Sequence, residues 1–469
     1  MPEILALISK NWINFWVFIF CASVIGVSGH GGQAALVLLV SACYISVKNK
    51  NLYSSLNLHK NEYIFIILVV LFFIINLINI FIQPEYLQYE NSRRVFRALD
   101  LPLRWLLFIP IYLLFRRYEI NWKFWSIGLC VGVFISVGIA IYEVYFLKMP
   151  RALGGLSQPI TFGGLMVVTD LILWTLMLHA WRNSHKYFSL VFFIASITAF
   201  YGSLLSVTRG ALLAYLLMIF VWGIYAFKNK IFKISYFFSS VMVIRVFFAF
   251  IIFYAVSLTP QYSYMEHRIE STVSGISQGN LNKVSGGRFD IFATALKVNH
   301  YFPFGVGPDN FRAGSKAAIV LDALEHDNVS IKSNKDILLE KSDLLSVMSQ
   351  YHYLNSYNPD GTKRYSARYG HAHNEWLNKL AETGYLGLLL LLLIFIFPIK
   401  IFWQNLNHEN KLIGTYSFSG IMLIISFSIF SQTEAIFAHH ASLIFFIFFL
   451  FLFISQIYKL NEESLDISN

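Results

Sequence analysis

The chain has 469 residues, of which 57% are hydrophobic, 17% aromatic and only 13% charged, and its mean hydropathy is +0.58. So few charged residues cannot cover the surface of a water-soluble protein of this size, which excludes the ordinary soluble classes. The formal net charge of +10 comes from basic residues scattered between apolar segments, so membrane lipids and phosphorylated lipids are more natural partners than nucleic acid.

Apolar segments long enough to cross a bilayer, roughly 20 residues each, recur along the whole chain. The first of them follows Lys10 and has no small-residue cleavage pattern after it, so we interpret it as a retained span rather than a signal peptide. The sequence therefore predicts an all-α polytopic membrane protein with about twelve transmembrane helices. Their approximate extents are 12–28, 33–47, 63–82, 102–115, 124–146, 159–180, 187–207, 211–227, 235–257, 385–402, 412–431 and 441–457.

Basic residues concentrate in alternate connections between these predicted spans, and by the positive-inside rule those connections and both termini lie in the cytoplasm. The opposite side holds one long insertion, whose mixed polarity and short helical patterns predict a folded extracytoplasmic subdomain. We therefore divide the chain into an N-terminal bundle of about nine spans (1–257), a large loop subdomain with catalytic residues (258–384), and C-terminal helices with a short cytoplasmic tail (385–469).

Several arginines fall in connections on the predicted outer side, where membrane insertion disfavours basic residues. They are Arg93, Arg94, Arg97, Arg104, Arg151, Arg209 and Arg288. Such a cluster suggests an anionic ligand on that side of the membrane. The alternative is that individual arginines meet lipid phosphates or loop carboxylates.

Two of these arginines open predicted helices: Arg209 follows the natural N-cap Thr208 in "SVTRGALLAY", and Arg288 follows two glycines in "SGGRFDIF". A cation at a helix N-terminus opposes the helix dipole, at a cost of a few tenths of a kcal/mol or more unless an anion is present. Both are therefore better explained as anion ligands, with a snorkelling arginine as the alternative at position 209. The later "PFGVGPDNF" is interpreted as a rigid turn, with a phosphate-binding loop as the alternative.

The segment "HAHNEWLNKLAETGYLG" places two histidines before a long apolar stretch. Asn374 is a plausible N-cap, and an imidazole beside a helix N-terminus is biased towards its neutral form, which can act as a base. We therefore assign proton transfer to His373. Its helical stripe continues through Gly384 and Gly387, whose small size permits close helix contact.

A metal site is one alternative for this segment, because His371 and His373 are separated by a single residue. On a helix the two would point in different directions, and no acidic or cysteine partner lies at a convincing distance, so we expect no metal. The other alternative is a histidine that is merely hydrogen-bonded at the headgroup level. Glu375 and Glu382 are expected to be a first-turn charge favoured by the dipole and a solvated helix position, respectively.

Asp170 and Arg245 are predicted to lie near the middle of the sixth and ninth spans. Charged groups there are expensive and usually face a partner or a wet cavity. Our hypothesis is that these two residues pair with each other in a structural role.

Several of these motifs resemble those of the bacterial O-antigen ligases, within the superfamily that also holds O-antigen polymerases and protein O-oligosaccharyltransferases. "TRGALL" resembles the family's Ser-Arg-Gly segment, with Thr208 in place of serine, and "GGRFDIF…PFGVGPDNF" resembles the Gly-Arg and Gly-x-Gly stretch of its large periplasmic loop. The family's His-Asn, nine residues, Gly-x-x-Gly signature is filled here by His373, Asn374, Gly384 and Gly387.

The resemblance implies a GT-C-like, inverting, metal-independent glycosyltransferase of the bacterial inner membrane, with no cofactor and with its active site facing the periplasm. Its donor would be a glycan on undecaprenyl pyrophosphate, and its acceptor a sugar hydroxyl of lipid A–core. Arg209, Arg288 and Asn374 would hold the donor pyrophosphate, and His373 would deprotonate the acceptor. Weaker candidates for acceptor or phosphate contacts are Arg93, Arg94, Arg97, Arg151 and His371.

The sequence is also compatible with other functions. A long polar segment, 312–370, has no counterpart in the family and could reshape the acceptor cleft. Polymerases and oligosaccharyltransferases use the same donor, although we expect the latter to extend further after the last span. A transporter or flippase for an anionic lipid or sugar would instead carry ionisable residues along midplane cavities, whereas the candidates here gather on one predicted face.

Overall fold

The computed structural model describes residues 2–27, 29–48, 56–84, 87, 92–228, 254, 260–326 and 369–468. Within these residues every regular element is helical, which confirms the predicted all-α class. A π-helical turn, Tyr142–Phe146, continues α5, and a 3₁₀ turn, Ile436–Ala438, precedes the last helix. The helices are α1 (Pro2–Ser23), α2 (His30–Lys48), α3 (Lys60–Phe81), α4 (Ser92–Arg117), α5 (Trp122–Ile141), α6 (Pro159–Arg182), α7 (Lys186–Leu205), α8 (Arg209–Lys228), α9 (Pro260–Ser277), α10 (Leu281–Ser285), α11 (Arg288–Tyr301), α12 (Phe311–His326), α13 (Glu375–Asn405), α14 (Lys411–Phe430) and α15 (His440–Ser468).

Nine helices in the described part of the chain are long and apolar enough to cross a membrane, namely α2 to α7 and α13 to α15. The chain is therefore a polytopic membrane protein. Of the three other predicted spans, the first overlaps α1 and the eighth lies within α8. The ninth, 235–257, falls outside the described residues except for residue 254.

Asp170 lies in the interior of α6, where it is fully buried and accepts a hydrogen bond from the hydroxyl of Ser196 on α7. Its hypothetical partner, Arg245, lies outside the described residues. The pairing of these two residues therefore stays a prediction.

The last helix, α15, forms the centre of the bundle together with α6. Both helices are almost completely surrounded by other helices, whereas much of α2 and α3 is open on one side. A helix that is apolar all round belongs in such a position, and "IFFIFFLFLF" supplies rings in every direction. Phe448 stacks on Phe20 of α1 with ring centroids 3.8 Å apart, and Phe451 meets the edge of Phe65 on α3 at 5.3 Å.

The connections that carry the candidate residues meet at one end of this bundle, called here the site end. Arg151, between α5 and α6, donates from Nε to the backbone oxygen of Ser206, between α7 and α8, at 3.0 Å. The backbone N–H of Glu375 donates to the backbone oxygen of Ser431, after α14, at 2.8 Å. Helices α11 and α12 pack against α13 at the same end.

Gly384 interrupts α13 with φ of 65° and ψ of −167°, a region of backbone conformation essentially reserved for glycine. A methyl group on Gly384 would overlap the backbone oxygen of Pro303. Just before the interruption, the carbonyl oxygen of Ala381 accepts a hydrogen bond from the backbone N–H of Val306 at 2.9 Å. The kink thus docks the turn that follows α11 onto α13, and it coincides with the proposed boundary between the loop subdomain and the C-terminal helices.

Gly387, the second glycine of the motif, follows one turn later on α13. A methyl group there would overlap the hydroxyl of Thr383, which donates to the backbone oxygen of Lys379 at 2.9 Å. The groups that Gly384 and Gly387 approach most closely therefore belong to a connecting turn and to their own helix. We expected these glycines to permit close contact with a neighbouring spanning helix, but their closest neighbours do not belong to one.

Replacing Gly384 by alanine is expected to destabilise the protein by about 1–3 kcal/mol, because alanine must adopt the strained backbone and its methyl group meets Pro303. Thermal unfolding in detergent, followed by tryptophan fluorescence, measures the change. Gly32→Ala in α2 is the matched control, since a methyl group there meets nothing within 4 Å. Equal shifts of Tm in the two variants would contradict this explanation.

The end of the bundle opposite the site is held by a buried ion network. Arg116, 1% exposed near the end of α4, donates from Nε to Glu62 Oε1 on α3 at 2.9 Å. Its Nη1 donates to Glu462 Oε2 on α15 at 2.7 Å. The guanidinium therefore joins α3, α4 and α15. It thereby fixes the position of α15, whose first turn lies at the site end.

Arg116→Met is expected to lower the free energy of unfolding by roughly 3–5 kcal/mol, because it leaves the carboxylate of Glu62 buried and uncompensated. Adding Glu62→Gln should recover most of this loss, since the second change removes the unpaired charge. The same thermal unfolding experiment compares the three proteins. A double variant no more stable than Arg116→Met would show that the loss has another origin.

Candidate functional site

The segment before α13 is irregular and directs His373 at a buried carboxylate. His373 adopts φ of 49°, a left-handed conformation that is uncommon outside glycine. The side chain of Asn374 then caps α13, as the sequence predicts, by accepting the backbone N–H of Leu377 at 3.0 Å. Nδ1 of His373 lies 3.1 Å from Oε2 of Glu434, which is 1% exposed in the connection between α14 and α15.

This contact sets the tautomer of the imidazole. Burial raises the pKa of Glu434, but the hydrogen bond from His373 and the positive charge that His373 and His371 can carry outweigh it, so the pKa lies well below its usual range. An ionised Glu434 accepts the proton of His373 Nδ1, which leaves the lone pair of Nε2 available. His373 can therefore act as a base through Nε2.

Two further histidines approach the same carboxylate. Nδ1 of His371 and Nε2 of His439 lie 3.6 and 3.7 Å from Glu434 Oε1. Burial lowers the pKa of His371 to about 4 against the attraction of Glu434, so this imidazole is neutral near pH 7. His371, His373, His439 and Glu434 are called here the histidine–glutamate cluster.

Both reasons given from the sequence against a metal at these histidines are wrong. The rings of His371 and His373 do not point apart, because the segment is not helical, and their centroids lie 4.4 Å apart. An acidic partner is present, because Glu434 arrives from a connection 61 residues further along the chain. The ligand atoms of His371, His373 and Glu434 all lie within 4.8 Å of one another, an arrangement that could hold a metal ion.

The two glutamates of α13 also differ from expectation. Glu382 is 6% exposed rather than solvated, and its Oε2 accepts a hydrogen bond from Nζ of Lys379 at 3.0 Å. Glu375 is buried and accepts the backbone N–H of Phe437 at 3.0 Å, so it holds the 3₁₀ turn before α15. Both carboxylates are therefore part of the packing that positions the cluster.

Arg209 begins α8 beside the connection that carries Glu434. Its Nη1 donates to the hydroxyl of Thr272 on α9. The next residue, Gly210, packs against this connection, since a methyl group there would lie 2.7 Å from Oγ1 of Thr433. The start of α8 and the turn that holds Glu434 are therefore in contact.

Arg288 begins α11, directly after Gly286 and Gly287, which both have positive φ. A methyl group on Gly286 would lie 3.9 Å from Nη2 of Arg209, so the guanidinium of Arg209 reaches the glycine turn that precedes Arg288. The helix buries Ile291, Ala295 and Val298, whereas Phe289 and Leu296 are exposed. The starts of α8 and α11 and the α14–α15 connection thus form one continuous region at the site end.

Arg151 has a local structural contact. Its Nε donates to the backbone oxygen of Ser206 at 3.0 Å, and its Nη2 donates to Oγ1 of Thr208 at 3.1 Å. Arg151 therefore braces the turn that leads into Arg209, a role that its position in the sequence did not suggest.

The first turns of α4 present three exposed arginines, Arg93, Arg94 and Arg97. Nε of Arg97 lies 3.5 Å from Oδ2 of Asp309. Burial and the charge of Glu382 raise the pKa of Asp309, while Arg97 and Arg94 oppose the shift. Arg97 and Arg94 therefore lie near the turn after α11 and give this part of the site end a positive charge.

A cavity of about 340 Å³ adjoins the histidine–glutamate cluster. Its lining combines the apolar rings of Phe72, Trp105 and Phe437 with polar groups that include Arg97 and His371. This size and mixture are typical of a site for a small organic group such as a sugar. His439 also lines this cavity, whereas the arginines that begin α8 and α11 do not.

The sequence prediction missed Glu434 and His439, although a signal was available. Both belong to "QTEAIFAHH", a connection that the charge pattern already assigns to the same side as the other candidates. One acidic residue with two histidines in such a short connection indicates a candidate site on its own. Of the polar segment 312–370, the first part forms α12 and 327–368 lie outside the described residues.

Comparison with known proteins agrees with the resemblance seen in the motifs. The fold defines a polytopic, all-α membrane protein with a cluster of titratable side chains at one end of its bundle. Residues 194–392 match the family model described as O-antigen ligase, and this segment includes α8, α11 and His373. The predicted relation to the O-antigen ligase superfamily, whose activities are of the ligase or polymerase type, is thereby confirmed.

The chain is also 24% identical over 355 residues to an uncharacterized protein of Haemophilus influenzae strain Rd. The alignment covers 75% of this chain and 77% of that protein. Similarity thus extends well beyond the segment that matches the ligase family.

Proposed function

We propose that the protein is an O-antigen ligase of the bacterial inner membrane, with the site end facing the periplasm and both termini in the cytoplasm. It transfers a glycan from undecaprenyl pyrophosphate to a sugar hydroxyl of lipid A–core, with inversion and without a metal. The observation that carries the proposal is the pair of His373 and Glu434 next to the start of α8. The family match over 194–392 supports the same class of reaction.

In the proposed reaction, His373 is the general base. The acceptor hydroxyl oxygen attacks the anomeric carbon of the donor sugar, the bond from that carbon to the pyrophosphate oxygen breaks, and the hydroxyl proton passes to Nε2 of His373. Glu434 stabilises the imidazolium that forms, through the hydrogen bond from Nδ1. A single displacement of this kind inverts the configuration at the anomeric carbon.

The leaving group is a lipid pyrophosphate, whose negative charge grows as the glycosidic bond breaks. We assign its stabilisation to Arg209 and Arg288, because guanidinium groups stay charged and bind phosphate oxygens through two N–H groups. Each begins a helix whose free N–H groups also favour an anion. Their two turns lie next to each other, as one binding site for two phosphates requires.

Asn374 has a more indirect role than the resemblance implies. Its side chain accepts from the backbone N–H of Leu377 and donates to the backbone oxygen of Gln432 at 3.3 Å. These bonds tie the start of α13 to the connection that carries Glu434. We therefore propose that Asn374 positions His373 against its carboxylate.

The acceptor is proposed to enter through the cavity beside the cluster. That cavity presents aromatic rings, on which the apolar face of a sugar can pack, and polar groups for its hydroxyls. Arg97 of α4 lines this cavity, where a phosphate group of a lipid A–core acceptor would meet it.

An in vitro reaction with purified protein, lipid-linked glycan and each candidate acceptor tests this function. We expect a product on lipid A–core, release of undecaprenyl pyrophosphate, and full activity in the presence of EDTA. Extension of the lipid-linked glycan itself would replace the assignment by a polymerase, and transfer to a protein would replace it by an oligosaccharyltransferase.

Deletion of the gene provides the matching test in cells. We expect loss of long-chain lipopolysaccharide together with accumulation of lipid-linked polymer of normal length. Loss of polymer length instead would indicate a polymerase, and loss of glycoprotein an oligosaccharyltransferase.

A further inference from the structure

The histidine–glutamate cluster holds three side-chain donors close enough together for a metal ion, those of His371, His373 and Glu434, and His439 approaches the same carboxylate. Nδ1 of His373 lies 3.1 Å from Glu434 Oε2, and the donors of His371 and His439 lie 3.6 and 3.7 Å from Glu434 Oε1. In a tetrahedral zinc site, bonds of about 2.0–2.1 Å place neighbouring donors about 3.3 Å apart. Small rotations of these side chains would therefore complete a coordination shell.

A second, independent observation is the state of two buried polar atoms. Oε1 of Glu434 and Nε2 of His439 have no hydrogen-bond partner within the described part of the chain. Their side chains are 1% and 10% exposed, so solvent water has little access to form hydrogen bonds with them. Leaving such groups unsatisfied costs free energy, and a cation between them would satisfy both at once.

The donor set indicates the class of ion. Imidazole nitrogens with one carboxylate suit Zn²⁺ and the neighbouring transition metals, whereas Ca²⁺ and Mg²⁺ prefer shells of oxygen ligands. Asn374 and Glu375 hold the two segments that carry the donors next to each other, because they bond the backbone of Gln432 and Phe437.

We propose that the histidine–glutamate cluster binds one divalent transition-metal ion of the Zn²⁺ class, and that this ion inhibits glycan transfer. The inhibition rests on the proposed function, whereas the binding does not. A metal bound to Nδ1 of His373 displaces the proton of that nitrogen, so the neutral ring carries its proton on Nε2. Nε2 then has no lone pair to accept the proton of the acceptor hydroxyl. The cluster therefore serves either as a base or as a metal site, and never as both at once.

Metal binding is measured on the full chain, purified through a tag without histidine, stripped with EDTA and then titrated with Zn²⁺ against a chromophoric chelator. We expect one ion per chain, with affinity at least about tenfold weaker in His371→Ala and in Glu434→Gln. His440→Ala is the matched control, since this neighbouring histidine faces Asp100 at 3.4 Å instead of the cluster. Equal affinity in the wild type and His371→Ala, or no stoichiometric ion in the wild type, overturns the site.

A titration with Co²⁺ gives a second readout, because visible absorption bands report nitrogen and oxygen ligation directly. Should Glu434→Gln fail to fold, His371→Ala and His439→Gln still test the site. Absence of these bands in the wild type would contradict the proposal, whatever the result for the variants.

Inhibition is tested by adding Zn²⁺ to the transfer assay, with each protein normalised to its own rate in EDTA. The wild type is expected to lose activity and to regain it with excess EDTA, while His371→Ala requires at least about tenfold more Zn²⁺ for the same loss. Continued transfer by Zn²⁺-loaded wild type overturns the inhibition. If no transfer is found under any condition, the proposed function fails, and the titration still decides whether the metal site exists.

Discussion

Replacement of His373 by alanine is expected to lower the rate of glycan transfer by about 10²–10⁴-fold while leaving the protein folded and inserted. The loss follows because the acceptor hydroxyl must release its proton during attack, and His373 is the base assigned to accept it in the proposed reaction. The in vitro transfer assay measures the rate, and thermal unfolding of the same preparation checks the fold. Ligation retained in cells by His373→Ala would remove this residue from the mechanism.

Two variants distinguish a base from a structural histidine. His440→Ala changes a histidine close in sequence that contacts Asp100 instead of Glu434, so we expect near wild-type transfer. Glu434→Gln keeps the shape of the partner but removes the charge that stabilises the imidazolium. It should lower kcat more than it raises KM for the acceptor, whereas a purely structural role would lower the amount of folded protein instead.

Replacement of Arg209 or Arg288 by alanine is expected to lower kcat/KM for the lipid-linked donor by about 10²–10³-fold. Each guanidinium is proposed to bind the pyrophosphate more strongly as its charge develops, so its removal acts mainly on the transition state. Lysine at either position should restore only part of the rate, because a point charge lacks the paired N–H groups of arginine. Steady-state kinetics with varied donor concentration measures the effect.

Arg104→Ala serves as the control for this experiment. Arg104 belongs to the same set of arginines, but its Nη2 lies 3.1 Å from Asp100 Oδ2 on its own helix. Its removal should leave donor kinetics nearly unchanged. Wild-type turnover with lysine at both Arg209 and Arg288, or an equal loss in Arg104→Ala, would count against pyrophosphate recognition.

Hydropathy and local motifs were sufficient to predict the class of the fold and the starts of three helices. Apolar length determines whether a segment can span a bilayer, so it depends on neighbouring residues alone. The starts of α8 and α11 and the cap at Asn374 are also local, because each depends on residues within one helical turn. These features could therefore be read from single stretches of sequence.

The partner of His373 could not be predicted in this way. Glu434 lies on another connection, 61 residues away, and only the packing of α13 against α14 brings the two side chains together. Glu382 was wrongly expected to face solvent. The turn that covers it contains Asp309, which lies 73 residues earlier in the chain. Gly384 was recognised as a small residue, but its interruption of the helix depends on contact with Pro303. Local sequence patterns carry no information about such long-range contacts.

The central position of α15 affects how the protein is assembled during synthesis. This helix follows all the other described helices in the chain, yet the bundle is packed around it. Helices that reach the bilayer earlier must leave room for it, so the bundle cannot close before α15 has inserted. A nascent chain halted before α15 therefore lacks its hydrophobic centre. If the protein acts as proposed, we therefore expect glycan transfer only from molecules in which α15 has inserted.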